Sequence, residues 1–226
     1  MVVFDIELER AERQFFDILL DFNYADEGQM KHLVSKAKLH AQKIPMFSDW
    51  PQNDKQFWDA EALFWNGRME REVRDSIRAE LSHLHGKNLD LAAGSVSYVP
   101  YSVAVDFSEE MLHLNPAQEK VVANLEEKLP FADELFDSAT LVFGVNYIQN
   151  IAQLFAEVHR MLKPNGRVVI VQAPSVSALH KLHYKNSVGD VELRVLLGKL
   201  GFRVRSQQKE LHGRKLLFVD AEKTSL

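Results

Sequence analysis

The chain contains no cysteine. That single absence excludes disulfide bridges, thiolate metal sites and a cysteine nucleophile. No segment approaches the roughly eighteen uninterrupted apolar residues of a membrane-spanning helix, so no membrane insertion is expected. An excess of basic charge is missing too. Lysine and arginine number 27 against 32 acidic residues, for a formal net charge of −5. That balance disfavours a broadly cationic nucleic-acid surface. The opening MVVFDIELERAER mixes both signs of charge and has the pattern of neither a signal nor a transit peptide, which makes the cytoplasm the expected location. What remains is an ordinary globular composition, 46% hydrophobic and 26% charged over 226 residues, enough for one large domain or a domain with a helical extension.

Hydrophobic spacing divides the chain into 1–85 and 86–226. The first part reads as helical throughout. Phe4 to Phe22 and Gln29 to Lys43 are two candidates, separated by turn formers at Pro45–Asn53 from a third. That third runs from Phe57 to His85, with Trp58, Ala62, Trp65, Met69, Val73, Ile77 and Leu81 recurring at steps of three and four. Gly86 is placed to cap it. From Leu89 onward short apolar runs alternate with helical stretches, the signature of an α/β domain with a mostly parallel sheet. The expected strands are Leu89–Ala92, Ser102–Val105, Lys120–Ala123, Ser138–Phe143, Arg167–Gln172, Arg203–Glu210 and Lys215–Glu222. The last two, joined across His212-Gly213, read as an antiparallel hairpin.

The segment NLDLAAGSVSYVPYSVAVD, Asn88 to Asp106, carries the most chemistry. Two strands would each end in a loop, placing Gly94 beside Asp106 at the edge where open α/β sheets hold ligands. Backbone at Gly94 can come close to a nucleoside, and the Asp106 carboxylate can accept hydrogen bonds from both ribose hydroxyls.

Three later segments sharpen that reading: LPFADELFDSATLVFGVNYI (129–148), FAEVHRMLKPNGRVVIVQAP (155–174) and LLGKLGFRVRSQQKELHGRKLLFVDAEK (196–223). In this order and spacing they resemble the class I S-adenosylmethionine-dependent methyltransferases, and most closely the small-molecule type. Glu157 to Gly166 follows that family's "EhRVLKPGG" turn almost position by position. The resemblance covers about residues 86–223 and implies a Rossmann-like seven-stranded sheet whose last strand inserts antiparallel. Residues 1–85 would then be a helical extension over the active-site side, and 86–226 the S-adenosylmethionine-binding domain.

The resemblance also implies the site residues. Asp90, Ala92 and Gly94 fall on the acid-x-Gly-x-Gly-x-Gly turn, of which only Gly94 keeps its glycine. Val96 stands at the third, where a β-branched side chain resists positive φ. VAVDFSEEML matches the family's "VGVDxSxEML" block, so Asp106 would hold the ribose, Phe107 would lie near adenine, and Ser108 would cap the helix that contains Met111. Asn124 and Leu125 take the Asp-Ala or Asp-Leu position against the adenine amino group, and Phe143 borders the transferable methyl group. Asn146 and Tyr147 are positioning candidates, with no catalytic base identified. Only twelve residues separate Gly94 from Asp106, and Pro100 among them disfavours the helix that the family fits there.

Nine histidines include His83 with His85 and His180 with His183, yet no ligand set is recognisable, so these read as surface residues and no metal is expected. His183 or Tyr184, following the fifth strand, is an alternative acceptor-side base. The rings Phe57, Trp58, Phe64 and Trp65 read as packing, with some able to line an acceptor pocket. The expected function is methyl transfer from S-adenosylmethionine to a small-molecule acceptor, uncharged or cationic, that enters beneath the N-terminal helices. Two other readings stand beside it: a non-catalytic binding or regulatory module, and an RNA-modifying enzyme using Lys181, Lys185, Arg194, Lys199, Arg203 and Arg205. The sequence is silent on oligomeric state.

Overall fold

A computed structural model of the chain describes residues 6–22, 25–173 and 178–224. Its centre is a seven-stranded sheet: β1 (Asn88–Leu91), β2 (Val103–Asp106), β3 (Glu119–Val122), β4 (Phe136–Val142), β5 (Leu162–Gln172), β6 (Phe202–Leu211) and β7 (Arg214–Lys223). The order is β3-β2-β1-β4-β5-β7-β6. β7 runs antiparallel to both its neighbours, while β1 to β5 are mutually parallel. His212 and Gly213, with φ of 48° and 77°, close the β6–β7 hairpin. A two-residue turn with φ positive at both positions matches the right-handed twist of the strands it joins.

Period-two alternation sorts the side chains of the sheet onto two faces. Leu89, Leu91, Val168 and Ile170 belong to one apolar cluster, with Phe155 and Val158 of α6 (Ile151–Met161) and Leu193 and Leu197 of α8 (Asp190–Lys199). Val142, Val169, Val171 and Phe218 face the other way, against Val73, Ile77 and Leu81 of α4 (Arg71–Leu81). The 85/86 division therefore runs through a single packing unit, since α4 covers a face of the sheet.

The remaining helical layer comprises α1 (Ile6–Asp21), α2 (Glu27–Ala41) and α3 (Asp54–Trp65), with a 3-10 turn at Pro45–Phe47. The expected start of the first helix at Phe4 lies outside the described residues. α2 opens on a capping box: the Gln29 N–H donates to Asp26 Oδ1 (2.8 Å) and the Asp26 N–H to Gln29 Oε1 (3.1 Å). Asn53 caps α3 through the Gln56 N–H. Phe15, Phe47, Trp50 and Phe57 fill the layer, with ring centroids of 5.2 Å from Phe15 to both Phe47 and Trp50. A short helix, α5 (Glu109–Leu114), follows β2, and a four-residue turn of helix, α7 (Ala178–Lys181), follows β5.

The single helix expected over Phe57–His85 is two, α3 and α4, broken at 66–70. The apolar stripe continues through the break, so periodicity cannot register it. The break is held by side chains: Arg68 forks onto Glu61 (2.7 and 2.9 Å), and Arg74 Nη1 donates to both the carbonyl and the Oδ1 of Asn66. Gly86 is likewise not the cap, a position taken by Ser82. Its φ of 82° serves the turn into β1, where a Cβ would lie 2.5 Å from Asp137 Oδ2.

Phe15 is fully buried. Phe15→Ala is expected to lower the unfolding free energy by about 3–5 kcal/mol, measured as a drop in the urea midpoint at unchanged slope.

Candidate functional site

Strand order reverses between β1 and β4, and the crevice outside their carboxyl ends is the topological switch point of the sheet. A cavity of about 290 Å³ lies there, at the lower end of the range for small-molecule pockets. Ala92 and Gly94 line it from the loop after β1. Asp106, Phe107 and Met111 contribute from the end of β2 and from α5, and Asn124 and Leu125 from the loop after β3. Phe143, Gly144 and Tyr147 close the side after β4.

Asp106 organises this edge. It is 6% exposed, and its Oδ2 accepts the Gly94 N–H (2.9 Å) while Oδ1 accepts the Ser108 N–H (3.0 Å). Burial pushes its carboxyl above the usual range; the Ser108, Gly94 and Phe107 amides oppose that, and the charge of Asp59 adds to it. Three amides share the roughly four lone-pair positions of the two oxygens, which leaves room for a ligand donor. Ser108 caps α5 through the Met111 N–H (3.1 Å) and donates its own hydroxyl to Asp59 Oδ1 of α3 (2.6 Å). The helical layer is thereby tied to the end of β2.

No helix lies between β1 and β2. Its place is filled by the 92–102 loop, whose Val96, Tyr98 and Val99 are buried beside α4. The strain in this loop is not where the sequence puts it. Val96 has no positive φ; Ala92 (48°), Gly94 (54°) and Tyr101 (59°) carry it, with Phe143 (61°) across the crevice. Gly144 makes room for the Ala92 methyl, since a Cβ there would lie 2.8 Å from it. At Gly94 a Cβ would meet Trp65 Nε1 at 3.3 Å.

Asp90 is almost fully buried and does not line the cavity. Its Oδ1 accepts from the Thr140 hydroxyl (2.8 Å) and its Oδ2 has no partner. Burial pushes its carboxyl up to about 7, the Thr140 bond pulls it back, and the Asp106 charge adds to the rise. Asn146 also points elsewhere. Its Oδ1 accepts from Gln172 Nε2 (2.8 Å) and its Nδ2 faces Asn186, so its amide holds two loops together. Tyr147 is the one of the two positioning candidates on the wall.

A second cavity, of about 420 Å³, shares Trp65, Phe143 and Tyr147 with the first. His180 lines it, 7% exposed, with Nε2 3.4 Å from Glu61 Oε2. Burial drives the Glu61 carboxyl up, but His180 and Arg68 overcome it and hold the group down at about 2. His183 is buried too, stacked on Phe57 at 3.8 Å with Nδ1 2.8 Å from Asp54. Neither His180 nor His183 is a surface residue, and neither His183 nor Tyr184 reaches the two cavities. Asp54 itself lines the first cavity. Its burial is more than offset by bonds from Lys185 and His183, which leave its carboxyl below the usual range. Among the described residues no group of three or more His, Asp or Glu is placed to hold a metal ion. Within the basic cluster, Lys185, Arg194 and Arg203 are engaged by Asp54, Asp190 and Glu222.

Residues 84–170 match the model of a methyltransferase domain. Over this segment the chain resembles the class I S-adenosylmethionine-dependent methyltransferases. It is 37% identical over 109 residues to the ubiquinone/menaquinone biosynthesis C-methyltransferase UbiE of Geotalea daltonii, covering 39% of this chain and 46% of that one. It is 37% identical over 112 residues to the demethylmenaquinone methyltransferase of Streptomyces avermitilis, covering 45% and 47%. The chain thus spans about half the length of the curated relatives it matches. Among solved structures, the fold is shared with a SAM-dependent methyltransferase from Archaeoglobus fulgidus (18% identity, TM-score 0.58, 71% of this chain and 98% of that one). It is shared also with the [4+2]-cyclase SpnF (12% identity, TM-score 0.54, 68% and 80%).

The residues lining the first cavity are of kinds that fit S-adenosylmethionine: a fixed carboxylate for a diol, a glycine backbone for close approach, and apolar walls at Leu125 and Ile148. Trp58, Trp65 and Asp54 are wall residues from the helical layer that motif matching misses. The aromatic spacing in α3 is the one signal that could have found the two tryptophans.

Because the Asp90 carboxyl titrates higher folded than unfolded, its ionised form costs stability. The cost grows as pH rises from the ordinary carboxylate range and is complete above about 7. Asp90→Asn is therefore expected to gain on the unsubstituted protein by about 2–3 kcal/mol between about pH 5 and about pH 8, read from thermal unfolding at both values.

Proposed function

We propose that the chain transfers a methyl group from S-adenosylmethionine to a small-molecule acceptor. The observation that carries this reading is the cavity at the β1–β4 switch point with Gly94 and Asp106 on its wall. When bound, the donor supplies an activated methyl group on a sulfonium. Asp106 holds the ribose through the room its amide partners leave, and Gly94 admits the backbone-close part of the ligand. Asn124 and Leu125 meet the adenine. Asn124 Oδ1 already accepts the Glu126 N–H (3.1 Å), and a second lone pair remains for the purine amino group.

The wall rings shape the rest. Trp58 stands edge-on to Tyr147 at 4.8 Å and to Trp65 at 5.5 Å, an aromatic cluster on the wall of the first cavity. Methyl transfer is an in-line displacement that depends mainly on alignment and exclusion of solvent. Tyr147 keeps its proton, since burial drives its phenol well above the ordinary value, with Tyr184 and Glu61 adding to the rise. Where an acceptor must lose a proton, His180, oriented by Glu61, is the group in the second cavity able to take it. The relatives named for quinone substrates favour a small aromatic acceptor over a macromolecule. A non-methylating role is the second reading, favoured by the cyclase that shares this fold and by Ala92 in place of glycine.

Calorimetric titration of ligand-stripped protein with S-adenosylmethionine and S-adenosylhomocysteine tests the proposal. Micromolar binding is expected, weakened by about 1.5–3 kcal/mol in Asp106→Ala, the scale of a lost charge-assisted hydrogen bond. Unchanged affinity in that variant would overturn the placement of the ribose, and no binding of either ligand would leave the non-methylating role.

A further inference from the structure

The second cavity carries a charge that no carboxylate among the described residues neutralises. Three arginines line it: Arg68, Arg74 and Arg214. Arg68 is matched by Glu61, and Arg214 forks onto Glu70 at 2.7 and 2.8 Å. Arg74 has no carboxylate within 4.0 Å among the described residues. Its Nη1 donates twice to Asn66, at 2.6 and 2.8 Å, which fixes the plane of the guanidinium. Its Nε is buried without a partner. Nε is closed to solvent, so Nη2 is the nitrogen left to meet a ligand, and a fixed guanidinium nitrogen without a counter-charge fits a carboxylate.

The other walls of this cavity combine rings with the aliphatic side chains of Met69, Val96 and Leu179. Trp65, Phe143 and Tyr147 are shared with the first cavity, and Tyr98, 6% exposed, lies on the Arg74 side. Flat apolar surface with one fixed cation at one end selects a flat molecule with one anionic group.

We propose that the second cavity is the acceptor site and that it selects an aromatic carboxylate, the carboxylate pairing with Nη2 of Arg74 and the ring lying among Trp65, Tyr98, Phe143 and Tyr147. The inference rests on the proposed methyl transfer for the word acceptor, but the binding preference stands on the cavity alone. It also separates this chain from relatives named for quinone methylation, because a neutral quinone would leave the Arg74 charge without a counter-charge.

The test uses the intact protein with naphthoate and its neutral isostere naphthamide as probes, with and without S-adenosylhomocysteine, followed by tryptophan fluorescence and ligand-observed NMR. Naphthoate is expected to bind about tenfold tighter than naphthamide, with the preference lost in Arg74→Met and largely kept in Arg74→Lys. If Arg74→Met fails to fold, by its thermal transition, the comparison of the two probes on the unsubstituted protein and on Arg74→Lys decides. Equal affinity for the two probes overturns the inference, as does displacement of naphthoate by equimolar inorganic phosphate, which would mark a phosphate site instead. Failure of S-adenosylhomocysteine to bind while the naphthoate preference persists would remove the methyltransferase reading and leave the carboxylate site standing.

Discussion

A carboxylate buried as deeply as Asp106 persists only if its oxygens are answered from within the protein. Here the answers are backbone amides of Gly94 and Ser108, one from the loop after β1 and one from the turn into α5. The charge therefore sets the relative position of three elements. β1 must end where Gly94 can point its N–H at Oδ2, and α5 must begin where Ser108 can reach Oδ1. Through Ser108 and Asp59 the same network fixes the height of α3 above the sheet. The cavity is the space these constraints leave open.

The short connection between β1 and β2 has consequences on the opposite face. Twelve residues from Gly94 to Asp106 cannot hold a covering helix, and the polar row beneath, Asn88, Asp90, Ser138 and Thr140, would otherwise lie open to water. The 92–102 loop and α4 close that face instead, with Tyr98 and Val96 inward. Because α4 is recruited there, the chain must break after Trp65. The arginines that hold the break, Arg68 and Arg74, end up on the wall of the second cavity. Fold repair and site construction use the same side chains.

The sheet was legible because its strands alternate with period two and are punctuated by glycine and proline, and each expected strand overlaps an observed one. Asp106 was legible for a different reason, a strand end followed at once by a capping serine. The break at 66–70 was not, since Met69 continues the apolar stripe and the pairs that end α3 are tertiary. Asp90 and Asn146 were assigned by motif position, whereas burial and hydrogen bonding direct both away from the first cavity. His180 and His183 read as surface residues because no local pattern shows that Glu61 and Asp54 will come to meet them.

The contact between Asp54 and His183 joins residues 129 positions apart, and Ser108 meets Asp59 across 49. Contacts so distant in sequence close late, after local helices and hairpins have formed, because the loop entropy must first be met. During synthesis α3 leaves the ribosome long before its partners exist. A ribosome-bound chain that ends before His183 lacks the strut holding Asp54 on the wall, so the finished wall of the cavity depends on segments far apart in the chain rather than on any early folding unit.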